Sequence, residues 1–321
     1  MTWIIGSPTL FGYAAGVSDI QVTWPDGRTA DCLLKVYPVA TNIAAGFSGS
    51  VQAGFWLLGD LAETLRPETR QGLWFLPRQV AVRWHRRARK LFSQLPSNSK
   101  RSSLMLFGVS PVEDLGIPGW DRSDVIVLDS SRGFEPVYAE RAKAVSIGSG
   151  SGIGEYSSAL EKTIADKSYF EVGAMLPGGG VAWWLANSVS RVVRENPKAG
   201  ISSSVLYTVV QRAGISTHPH EFTEVDLDGT KREFRLPWIA KSWDEFKSYS
   251  TQNGLACGEC HGRISMLLAK QSSPTAEDLV HRVGGLSSHG RQDVAVQVHR
   301  YPDAGMPQQV RDHLRRDALS E

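Results

Sequence analysis

Residues 1–6 of the chain read MTWIIG, a threonine followed by aromatic and β-branched residues that favour a β-strand over 2–5. Residues 6–9, GSPT, are typical of a turn, and 10–17 can return as a second strand, which predicts an N-terminal β-hairpin. Thr2 then has two interpretations. It is an ordinary strand residue, or removal of Met1 leaves it with a free α-amine beside its own hydroxyl, which makes it a catalytic group.

The rest of the sequence alternates between blocks of strands and pairs of helices. Strands are predicted at 20–24, 32–37, 43–47, 103–109, 125–128, 143–147, 203–210 and 221–225, and helices at 51–65, 79–95, 156–167 and 182–194. The last two strands are predicted to pair as a closing hairpin. This block order is typical of two antiparallel sheets packed face to face with helices outside, which is an α+β fold.

The composition is that of a folded protein with a sizeable core, since 41% of the 321 residues are hydrophobic. The net charge of +2 argues against a nucleic-acid partner. No leader peptide is visible, and no apolar run reaches the roughly 20 residues that a membrane helix needs. Three cysteines fit a reducing compartment, so a cytoplasmic protein without a membrane partner is expected.

A change of composition near residue 228 predicts two parts. Residues 1–228 are expected to form the main domain, and 229–321 an appended segment that ends rich in charge and poor in large apolar residues. The segment contains Cys257, Cys260 and His261 in a C-x-x-C-H pattern, which is used for haem attachment. Zinc would need a fourth ligand from elsewhere. The favoured interpretation is a pair of reduced thiols, with no cofactor and no metal.

A threonine at the start of a chain can act as a nucleophile because its α-amine, with a pKa of roughly 7.7–8.0, serves as the base. The site also needs a cation that lowers proton affinities and a carboxylate that holds this cation. A backbone N–H for the oxyanion and a hydrogen-bonding group beside the amine complete the requirements. The sequence offers a candidate for each part. Asp19 ends the second strand, and Lys35 lies on a following strand. Gly49 and Ser149 lie at strand-to-helix junctions.

These residues and their spacing resemble the proteasome β-subunit family, and especially its bacterial HslV-like members. The resemblance runs from Thr2 to about residue 226. It includes the sixteen positions between Asp19 and Lys35, the GFSG segment at 46–49 and the IGSG segment at 147–150. The family fold is the four-layer αββα sandwich of the N-terminal nucleophile hydrolases, so the resemblance implies this sandwich for the main domain.

The resemblance also implies a role for each candidate in a threonine-type peptidase. Thr2 would be the nucleophile, with its own amine as the general base. Lys35 would tune the site electrostatically, and Asp19 would anchor Lys35. The Gly49 N–H would stabilise the oxyanion, and Ser149 would support the amine. Loss of Met1 is the condition for all of these roles.

By the same resemblance, Leu33, Phe47 and Val51 fall where the family lines its primary specificity pocket, and they equally suit a plain core. The implied substrate is a peptide or an unfolded protein. The implied assembly is a homo-oligomeric ring, with an ATPase or unfoldase as a further partner. The alternative is a non-catalytic assembly or interaction subunit on the same fold.

Three stretches leave alternatives open. The family places an aspartate just before the last strands, whereas residues 196–204, NPKAGISSS, contain no acid, so a serine at 202–204 is the candidate to take its place. Residues 148–154, GSGSGIG, resemble a nucleotide-binding loop but do not match G-x-G-x-x-G. The basic stretch 83–92, RWHRRARKLF, is predicted to be a solvated helix face with an apolar stripe, and partner docking is its alternative.

Overall fold

The computed structural model describes residues 2–72, 74–95, 101–110, 121–176, 179–198, 200–225 and 229–255. In chain order its elements are β1 (Trp3–Pro8), β2 (Ala14–Asp19), β3 (Gln21–Thr23), β4 (Thr29–Asp31), β5 (Val36–Ala40), β6 (Ile43–Gly49), α1 (Val51–Arg70), α2 (Pro77–Ser93), β7 (Ser102–Ser110), β8 (Arg122–Asp129), β9 (Pro136–Tyr138), β10 (Val145–Gly148), α3 (Gly154–Ala165), α4 (Lys167–Met175), α5 (Gly180–Glu195), β11 (Val205–Gln211), β12 (Gly214–Pro219), β13 (Phe222–Val225), β14 (Lys231–Phe234) and α6 (Trp243–Gln252). The chain is therefore a mixed α+β protein, as the sequence predicts.

Two five-stranded antiparallel sheets carry the fold. The first sheet has the strand order β10-β1-β2-β11-β12, and the second has the order β5-β6-β7-β8-β9. The strand that follows Thr2 lies inside the first sheet, with Ile4 opposite Ile147 on one side and opposite Ser18 on the other. The predicted N-terminal hairpin is confirmed, although its second strand is Ala14–Asp19 instead of 10–17.

The two sheets face each other across an apolar layer. Ile4 of the first sheet belongs to the same buried cluster as Met105 and Phe107 of the second sheet. At Gly6 the sheets approach so closely that a Cβ atom would lie 2.6 Å from the Met105 sulfur. The glycine that ends MTWIIG is thus required by packing, because a larger side chain would push the sheets apart.

The helices cover the other faces of the sheets. Leu61 of α1 and Trp84 of α2 are buried in one cluster with residues of the second sheet, such as Leu106. Tyr156 of α3 and Leu185 of α5 are buried in another cluster with residues of the first sheet. None of the helices in the described ranges is both long enough and apolar enough to cross a membrane.

The basic stretch lies in α2 and has the predicted two faces. Trp84 and Ala88 are buried and Leu91 and Phe92 are half-buried, whereas Arg83 and Arg86 are exposed. Asp60 of α1 fixes the helix, because it accepts bonds from Trp84 Nε1 at 2.9 Å and from the Arg87 guanidinium at 2.6 Å. The prediction of a solvated face with an apolar stripe is confirmed, and partner docking stays a prediction.

The chain beyond residue 228 continues the packing of the main domain. β13 pairs with β14, so the predicted boundary at 228/229 falls inside a hairpin. Ala240 forms a parallel bridge with Leu33, and Trp243 and Phe246 of α6 are buried in the cluster that contains α1. Residues 229–255 therefore complete a core that 1–228 shares.

The prediction that 203–210 and 221–225 form a closing hairpin is wrong. β11 pairs with β12, and the strand at 222–225 pairs with β14 instead. β12, GISTHP, begins with glycine, ends with proline and is exposed or half-buried along its length, so it lacks the apolar alternation by which strands are recognised.

Candidate active site

The predicted site residues lie at strand ends in both sheets. Thr2 directly precedes β1, Asp19 ends β2 and Ser149 directly follows β10, all in the first sheet. Lys35 directly precedes β5 and Gly49 ends β6 in the second sheet. Because β1 lies between β2 and β10, the first sheet alone brings Thr2 beside Asp19 and Ser149.

The Lys35 ammonium is the centre of the site. Its Nζ donates to the Thr2 hydroxyl at 3.2 Å and to both Asp19 carboxylate oxygens at 3.0 Å. A fourth bond, of 2.6 Å, goes to the main-chain carbonyl of Gln21. Lys35 is only 1% exposed, so protein groups surround the ammonium and point it at one hydroxyl.

Asp19 is held as firmly as its partner. Its side chain is fully buried, and it accepts the Trp3 N–H at 2.8 Å and the Gln21 N–H at 3.2 Å. Burial raises the pKa of Asp19, and the Lys35 charge and these N–H donors oppose that change. Burial lowers the pKa of Lys35, against the opposing effect of Asp19. Lys35 therefore releases its proton at lower pH than a lysine in water.

Ser149 binds both main-chain groups of Thr2. The Thr2 N–H donates to Ser149 Oγ at 3.0 Å, and Ser149 Oγ donates to the Thr2 carbonyl at 3.3 Å. The Gly150 N–H also donates to that carbonyl, at 3.3 Å. Met1 precedes Thr2 in the sequence, so this nitrogen is an amide; after loss of Met1, an amine at that nitrogen would have the same neighbour.

Gly148 is the residue that allows this approach. Its φ of +91° lies in the left-handed region, and a Cβ atom there would lie 2.2 Å from the Thr2 carbonyl oxygen. The same Cβ position would lie 3.3 Å from Ser48 Cβ, so the end of β6 also reaches this corner of the site.

Gly49 follows Ser48 directly and has a φ of +96°. A Cβ atom on Gly49 would lie 2.0 Å from the Arg101 carbonyl oxygen, so only glycine fits. Helix α1 begins two residues later, at Val51, which places the Gly49 peptide at the positive end of a helix. Gly49 and Ser149 are exposed, whereas Thr2, Asp19 and Lys35 are buried.

The three predicted pocket residues do not share one environment. Leu33 and Phe47 are 0% and 2% exposed and belong to the core under α1. The Phe47 ring packs against Gly54 of that helix, where a Cβ atom would lie 2.1 Å from it. Val51, the first residue of α1, is half-buried. Leu33 and Phe47 are therefore core residues, as the alternative interpretation has it. Val51 is partly exposed, as a pocket residue must be.

Two residues near the site, Asp31 and Gln21, carry no recognisable sequence motif. Gln21 Nε2 donates to Asp31 Oδ1 at 3.1 Å, and the Ser202 hydroxyl donates to Asp31 Oδ2 at 2.5 Å. Ser202 is one of the serines proposed to replace the missing acid, and it binds an acid that another strand supplies. Both missed residues lie in short strands of three residues, too short for a periodic pattern.

Two further motifs have more than one interpretation from the sequence alone. The glycine-rich stretch forms a 3₁₀ turn at Ser149–Gly152, directly before α3. Cys257, Cys260 and His261 lie outside the described residues. Within the described ranges, no group of three or more histidine, cysteine, aspartate or glutamate side chains is arranged to hold a metal ion.

No protein-family model matches the sequence, and no curated protein matches it. The function is therefore inferred from the geometry of the site and from the resemblance of its motifs to those of the proteasome β-subunit family.

Proposed function

We propose that the chain is a threonine-type peptidase that uses Thr2 as its nucleophile after removal of Met1. One observation carries this proposal. The buried Lys35 ammonium lies 3.2 Å from the Thr2 hydroxyl while it binds the Asp19 carboxylate at 3.0 Å. A cation held against a single hydroxyl lowers the proton affinity of that hydroxyl and of the adjacent amine, which a nucleophile of this kind requires.

The reaction proceeds through an ester on Thr2. The α-amine takes the proton from the hydroxyl as its oxygen attacks the peptide carbonyl, and the Gly49 N–H stabilises the resulting oxyanion. The protonated amine then gives its proton to the departing amine, the C–N bond breaks, and an acyl-enzyme ester remains. Water attacks the ester, with the amine again as base, and releases the carboxylic acid and the free hydroxyl.

Ser149 has a supporting role in this sequence. Its hydroxyl lies 3.0 Å from the Thr2 nitrogen, and it can accept from the amine or donate to it as the proton moves. The bonds from Ser149 and Gly150 to the Thr2 carbonyl fix the main chain of the nucleophile. A fixed main chain keeps the amine and the hydroxyl in a constant geometry, which favours catalysis.

The fold proposed for the chain is the four-layer αββα sandwich of the N-terminal nucleophile hydrolases. Three buried clusters support it: one with residues of α1, α2 and the second sheet, one with residues of both sheets, and one with residues of the first sheet and α3 to α5. The proposed substrate is a peptide or an unfolded protein in the cytoplasm. A homo-oligomeric ring, with an ATPase or unfoldase partner, would keep folded proteins away from the site.

A non-catalytic subunit on the same fold is the second candidate. The burial of Leu33 and Phe47 favours it, because two of the three predicted pocket residues have no surface for a substrate. The two candidates differ in the state of the N-terminus and in the reactivity of Thr2.

Intact-mass measurement and a peptide epoxyketone, which reacts with the hydroxyl and amine of an N-terminal threonine together, distinguish the candidates. For a peptidase we expect a chain that begins at Thr2 and a single adduct that Thr2→Ala abolishes. Thr64→Ala, on the exposed surface of α1, is the matched control and should keep the adduct. Full retention of Met1, or peptide hydrolysis that Thr2→Ala leaves unchanged, would refute the proposal.

A further inference from the structure

Asp31, which no sequence motif marks, ends β4 and binds a different donor with each carboxylate oxygen. Oδ1 accepts from Gln21 Nε2 at 3.1 Å, and Oδ2 accepts from the Ser202 hydroxyl at 2.5 Å. Ser202 is buried and accepts in turn from the Ser204 N–H at 2.9 Å. Asp31 therefore joins the β3–β4 hairpin to the segment that enters β11, whose Val205 pairs with Asp19.

Gln21 connects Asp31 to the candidate active site. It lies directly opposite Asp31 in the β3–β4 ladder. Its carbonyl accepts the shortest bond of the Lys35 ammonium, at 2.6 Å, and its N–H donates to Asp19 at 3.2 Å. One residue thus binds both members of the buried ion pair, and a fixed Gln21 restricts where the ammonium can lie.

Asp31 also contributes charge at Lys35. Its carboxylate raises the pKa of Lys35, as Asp19 does more strongly and Cys32 does too, against the lowering by burial. The titratable groups that act on Lys35 from neighbouring segments are therefore Asp19 on β2, Asp31 on β4 and the Cys32 thiol directly after β4.

We propose that Asp31 is a positioning residue that, through Gln21 and Ser202, fixes the Lys35 ammonium against the Thr2 hydroxyl and supplies a second negative charge beside it. This inference rests on the proposed function, since the position of the ammonium affects chemistry only if Thr2 is the nucleophile. Removing the charge lowers the pKa of the Lys35 ammonium. The alkaline limb of the pH profile, where this ammonium loses its proton, should then move to lower pH.

Asp31→Asn tests this, because it keeps the shape of the side chain and removes the charge. The rate of epoxyketone adduct formation at Thr2 is measured against pH. The alkaline limb is expected to move down by about 0.5–1 pH unit. Asp31→Glu, which keeps the charge, should leave this limb in place, as should Asp26→Asn at the exposed turn of the same hairpin. A slower reaction with the alkaline limb unmoved in Asp31→Asn would overturn the charge role.

A second measurement separates this inference from the proposed function. The titration of the Lys35 side chain, followed by NMR in wild type and Asp31→Asn, needs no reaction at Thr2. If Thr2 of the wild type forms no adduct, the proposed function fails. If the Lys35 titration is also the same in wild type and in Asp31→Asn, the role of Asp31 is overturned as well. If Asp31→Asn does not fold, Ser202→Ala replaces it. Its adduct formation should slow at least five-fold with the limbs unmoved, and an unchanged rate would overturn the positioning role.

Discussion

Replacement of Lys35 by methionine is expected to destabilise the protein strongly, because methionine nearly keeps the length of the side chain and removes its charge. The Lys35 side chain is 1% exposed, and its ammonium lies 3.0 Å from both Asp19 oxygens. Loss of one partner of a buried ion pair typically costs about 3–5 kcal/mol of unfolding free energy. For a chain of this size the Tm should fall by roughly 6–10 °C.

The loss of stability in Lys35→Met should depend on pH, because the ionisation of Asp19 changes with pH. Burial raises the pKa of Asp19, and Lys35 is the largest influence that lowers it, so Lys35→Met raises that pKa further. A raised pKa in the folded state gives stability that is complete below the unfolded pKa of about 3.9 and is lost as pH rises through the folded value. The difference between wild type and Lys35→Met should therefore be largest near neutral pH and should shrink in acid.

Urea unfolding at several pH values, followed by tryptophan fluorescence, measures this difference. The double variant Asp19→Asn/Lys35→Met removes both charges and should recover at least half of the lost stability. Lys143→Met, which breaks an exposed ion pair with Glu140, is the matched control and should change stability little. Two results would show that the ion pair is not held as described. One is a Lys35→Met variant that is as stable as wild type near neutral pH, and the other is a double variant that is less stable than Lys35→Met.

Three further predictions follow from other contacts. Gly148→Ala should reduce epoxyketone labelling of Thr2 at least ten-fold and cost about 1–3 kcal/mol of unfolding free energy, since its φ is +91° and its Cβ would lie 2.2 Å from the Thr2 carbonyl oxygen; normal labelling would contradict this. Trp243→Ala should cost about 3–5 kcal/mol in urea unfolding, because Trp243 is 4% exposed in the shared core, and a negligible loss would show that α6 does not stabilise the domain. His220 has its pKa lowered by burial and by Arg194, so stability should fall as pH drops below the unfolded value of about 6.5; His220→Gln should flatten that dependence, measured as Tm between about pH 5 and 7.5.

The sequence pattern predicts that Gly49 and Ser149 lie where an apolar strand gives way to a helix, because glycine-rich segments mark both boundaries. The grouping of Thr2, Asp19 and Lys35 into one site is what the family resemblance implies, since no local pattern marks Lys35 within its own segment. The bonds of Ser149 to Thr2 and of Asp19 to the Trp3 N–H follow from the pairing of β1 with β10 and β2, which a single sequence does not specify.

The directions of side chains were harder to predict than the elements. β6 is buried along all but its last residue, so an alternating pattern does not indicate which face Phe47 occupies. Phe47 points toward α1 because Gly54 leaves space for its ring. Asp31 meets Gln21 through the register of a hairpin with three residues in each strand, and no periodicity reveals that register.

Composition predicts that the segment after residue 228 is an appendage, and it does not predict that part of this segment packs in the core. A local signal was present at 242–245, SWDE, where Ser242 accepts the Glu245 N–H as a helix N-cap. The following aromatic residues, Trp243 and Phe246, then pack against Phe55 and Trp24 in the core. A helix start followed by buried aromatic residues indicates docking more reliably than the charge content of the surrounding segment.

The cost of the buried ion pair is itself an argument for function. Two apolar side chains of similar volume would fill the space at Asp19 and Lys35 with equal or greater stability, because the desolvation of two charges often exceeds their attraction. In this fold the Lys35 ammonium contacts two carboxylate oxygens, one carbonyl and one hydroxyl, and the hydroxyl is the group that the proposed reaction uses as its nucleophile. Stability alone does not explain a buried cation aimed at the first residue after Met1, whereas the proposed activation of the Thr2 hydroxyl would.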